Sequence, residues 1–221
     1  RLPESLSLVP DLLRSPTFPE REVARLRDER LAELLQQLAE PRGLADEQFS
    51  HAVYEPNARY AMPADGETTT VSGLTADDVR AFYAARYKPA AVTLVFAGDV
   101  TMEQVVALAE PLFGDWSGEP ASDRRSAIDA AQSGRLLRVI AKNDAPQSEV
   151  RVGHVGLPRR TPEYFSVMVM NAVLGGLFSS RINLNLRETH GYTYGAFSAF
   201  EWRRDAGPFI VNTAVKSDVT G

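Results

Sequence analysis

The stretch 175–202, GGLFSSRINLNLRETHGYTYGAFSAFEW, constrains the fold more than any other part of the chain. A double glycine closes one apolar helix, and a Ser-Ser pair opens the next element. Within RINLNL, strict alternation argues for a strand, whereas Phe178, Ile182 and Leu186 at spacing four argue for a helix. The residues alone leave the two evenly open. Beyond Gly191, the runs 192–202 and 209–215, joined through RRDAG, read as an antiparallel hairpin. Successive strand side chains alternate faces, so Tyr192, Tyr194, Ala196, Phe200 and Trp202 are expected near one side, with Ser198 among them.

The rest of the chain supplies helices and shorter strands. An apolar-periodic piece at 6–13 stops at Arg14-Ser15-Pro16, and Pro19-Glu20 starts a helix that runs to about 39. Leu31, Leu34, Leu35 and Leu38 form its apolar stripe, interrupted earlier by Arg27. A helix at 44–54 leads into the turn-rich EPNARYAMPADGE. Thr75 is the expected N-cap of a helix reaching Tyr87, with Asp77 and Asp78 as first-turn charges. AVTLVFA at 91–97 reads as a strand buried on both faces, and 102–112 as a helix. Gly, Ser, Asp and Ala dominate 114–134, and 119–134 is taken as a linker.

Past the linker the pattern restarts with strands at 136–141 and 148–155 around a turn at 143–146. Thr161 and Pro162 mark a helix start, and YFSVMVMNAVL beyond them is apolar nearly all round, so that helix is expected to be buried. Helices and antiparallel hairpins in blocks, rather than strict strand-helix alternation, predict an α+β fold. Opening inside an expected helix and closing just after an expected strand, the sequence reads as a section of a longer protein.

Composition narrows the function classes. A formal net charge of −5 disfavours a nucleic-acid binder, and no apolar run approaches the roughly 18 residues of a membrane span. No signal peptide is visible at the start. With no cysteine there is neither a disulfide framework nor a thiolate site. His51, His154 and His190 are too scattered for a paired-histidine metal motif, and no GxSxG, Walker or GxGxxG pattern occurs. Arg187 and Tyr194 are the exception. At a helix-to-strand corner, a forked permanent cation and a neutral hydroxyl donor can hold a carbonyl and its developing charge. The same two residues could simply complement a helix C-terminus and pack in a sheet.

LGGLFSSRINLNLRETHGYTYGAFS resembles the signature of the insulinase/pitrilysin-type zinc metallopeptidases (the inverted zincins), most closely their short bacterial, processing-peptidase-like branch. FPEREVARLRDERLAELLQQ, HAVYEPNARYAMP and GLTADDVRAFYAARYKPAAVTLVFAGDVT are similar to the latter half of that family's first domain. The resemblance implies homologous domains of largely antiparallel sheet flanked by helices. It makes 1–118 the C-terminal part of a first domain and 135–221 the N-terminal and middle part of a second, arginine-tyrosine domain. It also implies a clamshell with an identical or homologous subunit closing over a peptide substrate. Zinc is then held outside this chain, which binds none, since HxxEH is absent here and its place would precede Arg1. The family's arginine falls on Arg187 and its tyrosine on Tyr194, implying that Arg187 holds substrate backbone and Tyr194 donates to the oxyanion. Glu33 aligns with a third zinc ligand, but Leu26 stands where active members carry a second glutamate. A non-catalytic, peptide-binding or scaffolding homologue is the competing expectation.

Overall fold

The computed structural model describes residues 2–120, 134–143 and 145–220. Among the described residues, seven α-helices precede the sheet, α1 (Leu2–Leu6), α2 (Val9–Arg14), α3 (Glu20–Ala39), α4 (Pro41–Val53), α5 (Thr68–Val71), α6 (Ala76–Arg86) and α7 (Met102–Phe113), with a short 3-10 helix at Pro89–Ala91. Strand β1 (Gln147–Val155) is followed by α8 (Tyr164–Asn171), α9 (Arg181–Asn183), β2 (Thr193–Phe200) and β3 (Pro208–Lys216). The expected α+β class is what the chain forms. It divides into two compact units, Arg1–Leu31 with Thr69–Arg124, and Ala32–Thr68 with Arg125–Gly221. Most of the expected linker at 119–134 lies outside the described residues.

The first unit is helical, and its helix starts are set locally. Thr75 and Asp78 form a reciprocal capping box on α6, as do Thr101 and Gln104 on α7. Long-range polar ties hold the helices together. The Arg14 guanidinium donates to Leu112 O (3.0 Å) and grips both carboxylate oxygens of Asp115 at 2.8 and 3.1 Å, which keeps that carboxyl below its usual range. The Tyr83 hydroxyl donates to Leu13 O at 2.7 Å, and its ring meets Phe18 edge-on. Phe18 has φ +43°, a left-handed value that L-residues rarely adopt, and Arg80 holds its carbonyl at 3.0 Å.

Two expected strands do not form. Ala91 closes the short 3-10 helix (Pro89–Ala91), residues 92–97 form neither helix nor ladder among the described residues, and Val95 is 85% exposed rather than buried. In the second unit 136–141 behaves alike, with Leu137 85% exposed. Composition supplies β-propensity, but a strand exists only when a neighbour takes its backbone hydrogen bonds.

The second unit carries the sheet, in the order β1-β3-β2 and antiparallel throughout. β1 and β3 pair without interruption from Gln147↔Lys216 to Val155↔Pro208. α4 covers one face. Its Phe49 ring lies where a side chain at Gly153 would stand, and its Asp46 pairs with Arg151 at 2.6 Å. Beyond α4, Tyr54, Ala58 and Ala61 form the fully buried cluster, and the Tyr54 hydroxyl donates to Ala206 O at 3.0 Å. Burial pushes the Tyr54 phenol up to about 12.

α8 and α9 cover the other face, each widening into a π-helical turn, Ala172–Gly176 and Leu184–Thr189. The ambiguous 181–186 is thus helical. Two expectations for α8 need correction. It begins at Tyr164, beyond Thr161, whose hydroxyl instead bonds the Glu163 carboxylate. Nor is it buried all round. Val167, Asn171 and Gly175 turn toward the sheet, while Phe165 is 78% and Val169 68% exposed. A helix packed on a single layer buries a single face. The expectation of no span-like segment also narrows. Tyr164–Thr189 reaches that length and apolarity, with mean hydropathy 1.4. It breaks at 177–180 and bonds the sheet through Asn171 and Asn183, so it reads as the sheet's helical layer.

Candidate functional site

Arg187 lies in the wide turn that ends α9. The wider winding shows in the backbone, where His190 N donates to Asn185 O at 3.1 Å and Tyr192 N to Leu186 O at 2.9 Å. The Arg187 guanidinium sits 4.5 Å above the Phe178 ring and 3.4 Å from the Glu188 carboxylate. Both partners of that ion pair are partly exposed, so it orients the side chain more than it stabilises the fold. Gly191 then reverses the chain at φ +64°, a left-handed position that costs glycine nothing.

Tyr194 comes next, at the start of β2. Its side chain is 88% exposed, and among the described residues its hydroxyl has no hydrogen-bond partner. The cause is a β-bulge. Thr193 pairs with Val215 and Ala196 with Thr213, so three steps along β2 match two along β3. The extra residue breaks alternation. Thr193 and Ala196 share the helix-covered face, and the expected alignment of Tyr194 with Ala196 does not hold.

The bulge is stapled by side chains. Thr193 Oγ1 accepts from Gly195 N at 3.0 Å and donates toward Gly195 O at 2.9 Å. Thr213 Oγ1 reaches both Thr193 Oγ1 and Gly195 O at 3.0 Å. Asn183 is fully buried, and its Oδ1 accepts from Ala196 N at 3.1 Å while its Nδ2 donates to Phe178 O at 2.7 Å. Farther along β2, Asn171 Nδ2 donates to Ser198 O at 2.9 Å, and its Oδ1 accepts from Ser198 Oγ at 2.7 Å. Gly175 permits this close approach, because a Cβ there would stand 2.3 Å from Ser198 Oγ. Sequence reading passed over Asn171, Asn183, Thr193 and Thr213. Their signal is a polar residue on an otherwise apolar helix stripe, and a glycine inside a strand pattern.

The arrangement offers a partly held cation on a helix end and an exposed hydroxyl donor at the start of the next strand. No direct hydrogen bond or ring contact joins them among the described residues. The described residues do not fit a zinc site. Among the described residues no three His, Asp or Glu groups converge to hold a metal. His154 gives its Nδ1 to Val155 O at 2.7 Å and lies against Phe209, and His190 stacks on Tyr192. Glu33 and Leu26 both lie on α3, where Leu26 is 54% exposed.

Known proteins resemble this chain in sequence and in fold. A family model described as the peptidase M16 inactive domain matches residues 73–220. An uncharacterized zinc protease of Streptomyces coelicolor is 29% identical over 216 residues, covering 95% of this chain and 46% of its own length. The crystal structure of a peptidase M16 inactive domain from Pseudomonas fluorescens superposes with a TM-score of 0.83 at 26% identity, over 96% of this chain and 51% of that one. Pitrilysin shares the fold at a TM-score of 0.56 and 16% identity, over 98% of this chain and 24% of its own. The chain spans about half the length of the curated relatives it matches.

Proposed function

We propose that this chain, which belongs to the M16 peptidase family in the part described there as inactive, supplies the arginine-tyrosine half of a composite peptide-hydrolysing site. The observation that carries the reading is the bulge that turns Tyr194 out of the sheet, one short turn after Arg187 ends its helix. A tyrosine that merely packed in a sheet would obey the alternation and lie against the helices.

In this reading Arg187 uses the guanidinium edge not spent on Glu188 to grip a substrate backbone carbonyl. Tyr194 donates its phenolic proton to the scissile carbonyl oxygen as negative charge builds there, a contribution of order 10²–10³ in rate. The zinc that the relatives' names imply comes from elsewhere, either a further part of a longer protein or an HxxEH-bearing subunit that closes over the peptide with this chain. The division into a first domain at 1–118 and an arginine-tyrosine domain at 135–221 belongs to the same proposal.

The test is Tyr194→Phe in the full-length, zinc-loaded assembly, assayed on a short internally quenched peptide. Turnover is expected to fall by about two orders of magnitude with KM little changed. Unchanged turnover removes Tyr194 from the mechanism. If assemblies of this chain with every HxxEH-bearing candidate stay inert, the scaffolding role takes its place.

A further inference from the structure

We infer that Asn183 is the positioning residue of this site, one buried carboxamide that sets Arg187 and Tyr194 in relation to each other. The inference rests on the arginine-tyrosine reading above. Asn183 stands on α9, one helical turn before Arg187, and has no exposed surface. Its two arms go to two different parts of the site. Nδ2 holds the carbonyl of Phe178, whose ring is the platform under the Arg187 guanidinium. Oδ1 holds the N–H of Ala196, the residue at which β2 regains register after turning Tyr194 outward.

Phe178 O can only accept and Ala196 N–H can only donate, so the carboxamide has a single workable orientation. A side chain here must present a donor and an acceptor at once, which a carboxamide does on one rigid plane. β2 is the edge strand of the sheet, so the backbone groups on its outer side have no ladder partner and, where buried, must be paired elsewhere. Asn183 pairs one of them with the arginine's own helix rather than with a neighbouring strand. Movement of β2 relative to α9 would therefore stretch two buried hydrogen bonds at once. Asn171 makes a similar carboxamide clamp on Ser198, farther along the strand and outside the bulge, so it ties α8 to β2 without touching the site.

That pair of asparagines gives the experiment. Asn183→Ala and Asn171→Ala are compared in the full-length, zinc-loaded assembly on the same quenched peptide, with thermal unfolding recorded for both. Asn183→Ala is expected to lower kcat/KM about 10- to 100-fold beyond any loss of folded protein, because small misplacements of reacting groups are that costly. It is also expected to speed amide exchange at Ala196. Asn171→Ala is expected to lose thermal stability but to keep kcat and KM within about twofold. A folded Asn183→Ala with wild-type kcat/KM overturns the inference, and so does an equal loss of activity in Asn171→Ala. Should Asn183→Ala not fold, Asn183→Asp takes its place. It keeps the shape and the acceptor for Ala196 N but removes the amide donor to Phe178 O, and undiminished activity in the folded variant then overturns the inference. Tyr194→Phe separates the two failures. If it costs turnover while Asn183→Ala does not, the positioning role fails and the site stands. If Tyr194→Phe costs nothing, the site itself fails.

Discussion

Residues 91–97 (AVTLVFA) and β3 (PFIVNTAVK) are both rich in β-branched and aromatic residues, yet only one of them is a strand. β3 lies between β1 and β2, takes hydrogen bonds from both sides, and buries Ile210, Thr213 and Val215. The run 91–97 has no ladder among the described residues, and Val95 stands open to solvent. The difference is one of neighbours, not of residues. A central strand is defined by what lies beside it, which propensity does not encode.

The comparison can be broken by mutation. Ile210→Ala should cost about 2–5 kcal/mol in chemical denaturation of the second unit, since it empties a packed position. Val95→Ala should stay within about 0.5 kcal/mol. Equal costs would mean that 91–97 is packed after all. A smaller effect is pH-dependent and belongs to the second unit. Tyr54 titrates at about 12 in the folded chain but near 10 when unfolded, so the unfolded state loses its proton first. Stability should therefore hold up to about pH 10 and fall between roughly 10 and 12, by at most about 1.4 kcal/mol per pH unit. Tyr54→Phe should remove this alkaline slope. A slope that survives the substitution would assign it to another group. A local effect in the first unit should be weaker still. Thr75→Ala breaks the α6 capping box and should cost about 1 kcal/mol, measured as a shift in the unfolding midpoint.

Much of the architecture was legible in the sequence because it is written locally. Proline, threonine and acidic residues fixed the starts of α3, α6 and α7, and the hairpin showed in alternation around RRDAG. The family was legible as well. The resemblance to the insulinase/pitrilysin type, read from RETHGYTYG and KPAAVTLVFAGDV, agrees with the M16 match over 73–220. What escaped was non-local. Whether 91–97 and 136–141 find partners, and whether the outer face of α8 is covered, depends on surfaces that periodicity does not describe. The bulge escaped for another reason. Alternation assumes an unbroken ladder, and one extra residue near Gly195 reverses the assignment for Tyr194 while leaving every residue type strand-like.

The outer stripe of α8 has a practical consequence. Phe165, Val169 and Val173 on one side of a helix, exposed to water, form an adhesive strip on the second unit. Handled alone, the chain should take up environment-sensitive dyes, foul chromatography matrices and come down with salts that strengthen apolar association. Mild detergent should keep it dispersed, and purification is best planned around that strip from the first lysate.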